Sequence, residues 1–156
     1  MPRRLPSINF TLTFKGKLMT ICIQREDLTL PVSSLFALYI TDLLAPHKND
    51  KAVTINFRNP SYSADDGGYH PVEIRLEKVA EHWHFIYITD FCYVGTGYMA
   101  ELAKDLDFDF QAGVFQNLHG VYPIEQATEM YQLWEQNFVY YATISKVFEI
   151  TVSADN

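Results

Sequence analysis

Apolar and polar residues alternate along several short stretches of this chain, which is the pattern of β-strands with one buried face. Near its start, apolar residues alternate with Asn and Thr from Ile8 to Phe14, and a second apolar run extends from Leu18 to Ile23. Lys15-Gly16 lies between the two runs, and a short connection with Gly is typical of a turn. The pattern therefore predicts a β-hairpin.

Five later stretches also have the character of strands. The runs 53–57 and 72–77 alternate regularly, and the second of them is polar on one face. The run 83–93 is apolar on both faces, which indicates a central strand covered on both sides. Shorter runs predict strands at 108–115 and 147–152, whereas the acidic stretch that precedes Asp109 has no clear period.

Two stretches have the three-and-four spacing of helices. The first follows Pro31, can be capped by Ser33 or Ser34, and ends at Pro46. In the second, which begins at Pro123, apolar residues recur from Ile124 to Tyr141, and the opposite face carries polar residues that include Glu135. This stripe covers fewer than three heptads, so packing on the domain's own sheet is favoured over a contact between helices of two chains.

These elements predict the fold class. We expect residues 1–156 to form a single α+β domain, an antiparallel β-sheet with flanking helices in which the long C-terminal helix packs on the sheet. No apolar run approaches the roughly 20 residues of a membrane span, so we expect a cytoplasmic protein with no membrane contact. Cys22 and Cys92 both lie in apolar runs, which favours buried free thiols and leaves a disulfide open.

The net charge of −7 is concentrated at one end. Residues 1–100 hold 10 basic and 10 acidic residues, whereas residues 101–156 hold 2 basic and 9 acidic, so 2 minus 9 gives the whole −7. The chain lacks a basic stripe, which argues against direct nucleic-acid binding. An acidic face favours solubility, attracts basic protein partners, or acts as a mimic of nucleic acid.

The segment 59–73 is the densest in groups that recognise ligands. Pro60 and Pro71 bracket it, and its Asp and Gly residues are typical of tight turns, so a self-packed loop is one interpretation. The other is a ligand-contacting loop. The candidate ligand-binding residues are Tyr62, Asp65, Asp66, Tyr69 and His70.

No motif for catalysis or for a metal accompanies this loop. His82 and His84 lie two apart on a predicted strand, so they share a face, and a metal site there would need a third ligand from His70 or Asp90. The Gly-x-Gly at 95–97 lacks the third Gly of a dinucleotide-binding loop. We therefore assign no catalytic residue, no metal site and no cofactor.

One family resemblance is carried by the loop and by the last helix. Its motifs are Tyr62-Ser63-Ala64, then Gly67-Gly68-Tyr69-His70-Pro71-Val72-Glu73, and then Trp134-x-x-Asn137-Phe138 before a closing strand. They resemble a bacterial family of domains of unknown function, number 2787, over about residues 28–153. The resemblance implies a fold similar to the mitochondrial matrix acidic proteins, which are oligomers that bind diverse partners. It implies no reaction.

Together these patterns favour a non-enzymatic binding or assembly protein. The predicted interaction surface is the acidic C-terminal third together with the aromatic-rich last helix. The predicted partner is a protein, one with basic character or a second copy of this chain. Two alternatives stay open: a small-ligand binder or enzyme centred on the 60–73 loop, and an acidic mimic of nucleic acid.

Overall fold

Strands that pair into one sheet make up most of the described chain. A computed structural model describes the backbone of residues 8–14 and 17–155 and the side chains of residues 21–155. Within this part of the chain nine strands join one sheet. They are β1 (Ile8–Phe14), β2 (Lys17–Ile23), β3 (Ala52–Arg58), β4 (Val72–Val79), β5 (His82–Val94), β6 (Glu101–Asp109), β7 (Val114–Asn117), β8 (Val121–Pro123) and β9 (Glu149–Asp155).

The main sheet has the order β8-β7-β6-β5-β4-β3-β9, and all neighbours along this path are antiparallel. Strands β1 and β2 form the predicted hairpin, whose turn residues Lys15-Gly16 lie outside the described residues. The hairpin joins the sheet through one short parallel contact, Cys22 and Ile23 of β2 against His82 and Trp83 of β5. The sheet is therefore antiparallel apart from this contact. Strand β5 is central as predicted, but the expected cover on both of its faces is wrong, because His84, Tyr87 and Phe91 are only half-buried.

Two helices cover one face of the sheet. Helix α1 spans Ser34–Leu44 and begins at Ser33, whose Oγ accepts a hydrogen bond from the backbone N–H of Phe36 at 3.2 Å. Helix α2 spans Thr128–Val139, between a 3-10 turn (Ile124–Ala127) and a π-helical turn (Tyr140–Ile144). Both predicted helices are confirmed, and the α+β fold class is confirmed with them.

The aromatic stripe of α2 is the centre of the core. Tyr131, Trp134 and Phe138 are buried, and the ring of Phe138 meets Phe57 of β3 edge to face with centroids 4.9 Å apart. Phe36 of α1 contacts the rings of both Trp134 and Phe138. The C-terminal helix therefore packs on the sheet as predicted. Of the aromatic residues predicted to form a surface there, Tyr140 is exposed and Tyr141 and Phe148 are half-buried.

The sequence pattern fails at three further places. The strand predicted at 108–115 is wrong, because a turn with Gly113 at φ +72° separates β6 from β7. The acidic stretch before Asp109 is strand β6 itself, which alternates poorly because a bulge interrupts it. Glu135, assigned to the polar face of the last helix, is only 6% exposed. Its carboxylate accepts hydrogen bonds from the Tyr131 hydroxyl and from the backbone N–H of Ser33.

Candidate functional site

A concave pocket of about 470 Å³ opens between the 59–71 loop, strand β5 and helix α2. Loop, sheet and helix all contribute to its wall, because the chain enters β4 directly beneath the last helix. The residues that line it are Gly68, Tyr69, His70, Val72, Asp90, Trp134, Asn137, Phe138, Tyr141 and Phe148. Only three of these side chains carry strongly polar groups, His70, Asp90 and Asn137, so the pocket has an apolar wall and one polar end.

Rings form most of the apolar wall. Tyr69 from the loop meets Tyr141 edge to face, with centroids 4.9 Å apart. Phe138 stacks on Trp134 at 4.9 Å, and Phe148 packs against Phe138 at 5.7 Å. Aromatic walls with a few placed polar groups are typical of sites that bind an apolar group in a fixed orientation.

The polar end is built around the imidazole of His70. Its Nδ1 lies 2.7 Å from Oδ1 of Asp90, and the other carboxylate oxygen of Asp90 accepts a hydrogen bond from Nε1 of Trp134 at 3.0 Å. The bond to Asp90 raises the pKa of His70 above 6.5, although partial burial works in the opposite direction. The charged form of this histidine is therefore stabilised in the folded protein.

A second carboxylate, that of Asp105, reaches the same imidazole. In the pairing of β5 with β6, Asp90 faces Leu106 and Phe91 faces Lys104, so Asp105 is the extra residue of a β-bulge. Bulges redirect a side chain out of the normal alternation. Oδ2 of Asp105 lies 3.5 Å from Nδ1 of His70. Burial, and next the charge of Asp90, raise the pKa of Asp105.

The loop that carries Tyr69 and His70 is braced by its own bonds. Ser63 and Gly67 exchange backbone hydrogen bonds, and the Ser63 hydroxyl accepts from the N–H of Asp66 at 3.0 Å. The hydroxyl oxygen of Tyr62 accepts from the N–H of Tyr93 at 3.0 Å. The chain segment that precedes the pocket is thus held on the end of β5.

The predicted ligand-binding residues separate into two groups. Tyr69 and His70 line the pocket, and Tyr62 lies behind His70 with ring centroids 5.2 Å apart. Asp65 and Asp66 are exposed at the turn and do not line it. The structure thus brings three of the five together, and their role in binding stays a prediction.

Sequence reasoning did not place Asp105, Trp134 or Asn137 in the site, and it named Asp90 only as a third ligand for the His82 and His84 pair. Asp90 interrupts an otherwise apolar run, and a single acid in a central strand is a signal that a polar site lies nearby. Trp134 and Asn137 belong to the motif that carried the family resemblance. Asp105 has no such signal, because its position depends on the bulge.

The histidine pair of β5 lies apart from this pocket. Nδ1 of His82 is 3.2 Å from Sγ of Cys22 and 3.1 Å from Oε1 of Gln24, whereas His70 pairs with Asp90. Within the part of the chain that the structure describes, the group of three metal-ligating side chains is His70, Asp90 and Asp105, whose donor atoms lie within 4.8 Å of one another. Both cysteines are buried and free.

None of the helices that the structure describes is long and apolar enough to cross a membrane. The predicted cytoplasmic location stays a prediction.

The chain is similar to proteins from bacterial pathogenicity islands. The hypothetical protein VC0508 from the VSP-II island of Vibrio cholerae is 39% identical with a TM-score of 0.73, and covers 81% of this chain and 97% of its own. The conserved hypothetical protein VC1805 from the VPI-2 island of Vibrio cholerae is 43% identical, with the same TM-score and coverage. That structure is described as sharing structural homology with the human P32 protein.

No curated protein matches the sequence significantly. The model of one protein family does match, and it spans residues 32–153, which include the pocket, the bulge of β6 and helix α2. The match extends over the residues that carried the resemblance found in the sequence. The chain therefore belongs to the family described as protein of unknown function (DUF2787).

Proposed function

We propose that this protein is a binding protein that holds an apolar or aromatic side chain of a protein partner in the pocket beside His70. The observation that carries the proposal is the composition of the pocket wall, in which aromatic rings from the loop, α2 and Phe148 surround a cavity with one polar end. Buried aromatic pockets are where interfaces concentrate their binding energy.

The size of the pocket fits a side chain. A volume of about 470 Å³ lies at the lower end of the range for sites that enclose small ligands, and is sufficient for one large anchor residue with its neighbouring backbone. Asn137 on the rim and Asp90 at the polar end supply an amide and a carboxylate for the backbone or polar group of the anchor.

Charge indicates what surrounds that anchor. Residues 101–156 carry the entire −7, and the exposed Glu149 directly follows the pocket residue Phe148. Basic residues that flank an apolar anchor would therefore meet acidic surface. The likeness to a structure described as homologous to human P32 supports a binding role, although a shared fold does not by itself transfer a function.

Site-specific photocrosslinking tests this proposal. A photoreactive phenylalanine at Asn137, on the pocket rim, is expected to give a discrete covalent adduct in cells of the native host. The same residue at Gln132, exposed on the same helix outside the pocket lining, is expected to give none. The mass of the adduct distinguishes a second copy of this chain from another protein. In lysate, a higher salt concentration is expected to lower the yield of the adduct, because it screens the attraction between charged surfaces.

A variant that fills the pocket completes the test. Asn137→Trp places a large side chain over the opening and is expected to prevent crosslinking from a probe at Tyr141, whereas Gln132→Trp leaves it unchanged. Equal adducts from positions 137 and 132, or an adduct that survives Asn137→Trp, would overturn the proposal. Thermal unfolding verifies that both variants fold.

A second candidate function is an enzyme or small-ligand binder centred on the same loop. The His70–Asp90 pair favours it, because a carboxylate on Nδ1 orients an imidazole so that Nε2 can exchange a proton with a bound molecule. Titration of the protein with small aromatic compounds, followed by NMR, separates the candidates. Saturable shifts at Tyr69 and Tyr141 with a small molecule, without any protein adduct, would favour this second function.

A further inference from the structure

We propose that His70, Asp90 and Asp105 bind a divalent transition-metal ion, with Zn²⁺ as the best match. The donor atoms are Nδ1 of His70 and one carboxylate oxygen from each aspartate, and all three lie within 4.8 Å of one another. The proposal goes beyond partner binding: His70 and Asp90 belong to the pocket, but the third ligand, Asp105, does not line it.

The three ligands come from elements that hold them at fixed positions. His70 precedes Pro71 at the entrance to β4, and Asp90 lies in the central strand opposite Val72. Asp105 lies on the neighbouring strand, where the bulge turns it toward the same imidazole. In a regular strand the residue before Leu106 would face the opposite side of the sheet, so the bulge is what completes the set.

The two distances from the imidazole to the carboxylates are close to those of a metal site. In a tetrahedral zinc centre, ligand atoms about 2.1 Å from the ion lie about 3.4 Å from one another. Nδ1 of His70 is 3.5 Å from Oδ2 of Asp105, which matches, and 2.7 Å from Oδ1 of Asp90, which is a hydrogen-bond distance. If an ion replaces the shared proton, Nδ1 of His70 and Oδ1 of Asp90 need to move only about 0.7 Å farther apart.

Of the two carboxylates, Asp105 has no hydrogen-bond donor of its own among the described residues, whereas both oxygens of Asp90 have one. The imidazole has one Nδ1 hydrogen, and Asp90 takes it at 2.7 Å. The side chain of Asp105 is 33% exposed and lies within ion-pair distance of that same nitrogen. Among the described residues, no other basic group lies within ion-pair distance of it. A divalent cation satisfies both carboxylates at once, and two carboxylates with a neutral imidazole match its charge of two.

Support from outside the three ligands comes from Trp134. Its Nε1–H donates to Oδ2 of Asp90, which fixes the carboxylate and leaves Oδ1 directed at His70. Such outer bonds to a ligating carboxylate are typical of metal centres. One nitrogen and two oxygens suit Zn²⁺ or Mn²⁺, and three protein ligands leave a coordination position for water or for a partner's donor atom.

Isothermal titration of the tag-free, chelator-treated full chain with Zn²⁺ tests the proposal. We expect one ion per chain. Asp105→Asn is expected to weaken Zn²⁺ binding at least tenfold, because the loss of even an outer hydrogen-bond partner of a ligand costs about that much. His84→Gln and Gln132→Trp, outside the ligand set and the pocket lining, are expected to bind Zn²⁺ as the wild type does. Asp105→Asn, also outside the pocket lining, is expected to leave the crosslink from position 137 in place, so failure of this proposal is distinguishable from failure of the partner-binding proposal.

Two further readouts keep the result interpretable. At the same Zn²⁺ concentration the rise in melting temperature is expected to be smaller for Asp105→Asn than for the wild type, because stabilisation by a ligand falls as its dissociation constant rises; the fold of the variant is verified by melting in chelator. Co²⁺ is expected to bind without the near-ultraviolet charge-transfer band of a thiolate ligand. The proposal is overturned if wild type binds no Zn²⁺, if Asp105→Asn binds it equally, or if Co²⁺ shows a thiolate band.

Discussion

The indole N–H of Trp134 donates to the carboxylate of Asp90 at 3.0 Å, and this bond connects the centre of helix α2 to the central strand of the sheet. It is a polar contact in an otherwise aromatic interface, since the other neighbours of Trp134 include the rings of Phe36, Phe108 and Phe138. The carboxylate that it fixes is the one that holds His70. Packing of the helix and the geometry of the pocket's polar end are therefore parts of one arrangement.

The bond predicts a measurable coupling between these two residues. Trp134→Phe removes the donor and some buried surface, and Asp90→Asn removes the charged acceptor. A hydrogen bond to a charged group contributes about 1.5–3 kcal/mol, so the double variant should lose less stability than the sum of the single variants, by about 1–2 kcal/mol. Urea unfolding of the four proteins measures this difference. Additive effects would show that the bond contributes nothing.

The His70–Asp90 pair predicts a dependence of stability on pH. Asp90 raises the pKa of His70 in the folded protein, so the pair's contribution is fully present below about pH 6.5, the unfolded value, and is lost as pH rises through the folded value. In chelator, the difference in unfolding free energy between wild type and His70→Gln should therefore be largest below about pH 6.5 and narrow as pH rises through the folded-state pKa of His70.

His84 provides the control for this experiment, because its shift has the opposite sign. Burial, and next the charge of His82, lower the pKa of His84 below 6.5. Its contribution to stability is therefore present above about pH 6.5, the unfolded value, and is lost as pH falls through the lower folded value. At low pH, His84→Gln should therefore lose less unfolding free energy than the wild type does. NMR titration of the ring protons checks both directions. A His70 midpoint at or below 6.5 would contradict the proposed pairing.

The buried carboxylate of Glu135 predicts a large loss of stability when it is removed. It accepts hydrogen bonds from the Tyr131 hydroxyl and the Ser33 N–H, and it attracts the buried guanidinium of Arg25. Removal of one partner from a buried charged network costs about 3–5 kcal/mol. Glu135→Ala should therefore destabilise by about that amount in urea unfolding, whereas Glu129→Ala, exposed on the same helix, should change little.

The contrast between Glu135 and its helix shows what the sequence can predict. Periodicity identifies both helices and most strands, because apolar spacing reports which face of an element is buried. Glu135 departs from this rule because its charge is satisfied by residues distant in sequence, Arg25 and Ser33, which no local pattern reveals.

The site shows the same limit. Its loop could be predicted from composition, since Pro, Gly, Asp and Tyr cluster there, and Tyr69 and His70 do line the pocket. Asp105 could not be predicted, because a one-residue bulge decides which side of the sheet it faces. The contribution of Phe148 depends equally on how β9 pairs with β3 at the far edge of the sheet.

Two adjacent glycines test whether the loop is a rigid part of the site. Gly67 has φ +70°, at the edge of the left-handed region, which other residues enter at a cost of about 1–2 kcal/mol. Gly68 has φ +127°, outside that region, and a Cβ there would lie 3.5 Å from the ring of Tyr62. Gly68→Ala should therefore lower the free energy of unfolding by up to about 3 kcal/mol, which is more than the loss expected for Gly67→Ala.

The expected consequence of Gly68→Ala extends to the pocket. Because Tyr62 contacts Gly68, stacks on Tyr93 and lies behind His70, a backbone change that relieves the strained φ at position 68 should shift the NMR signals of Tyr93 and His70, whereas Gly67→Ala should leave them in place. Asp65→Ala, exposed at the same turn, should change stability by less than about 0.5 kcal/mol. Equal effects of the two glycine substitutions on stability and on His70 would mean that the loop adapts freely and does not position the imidazole.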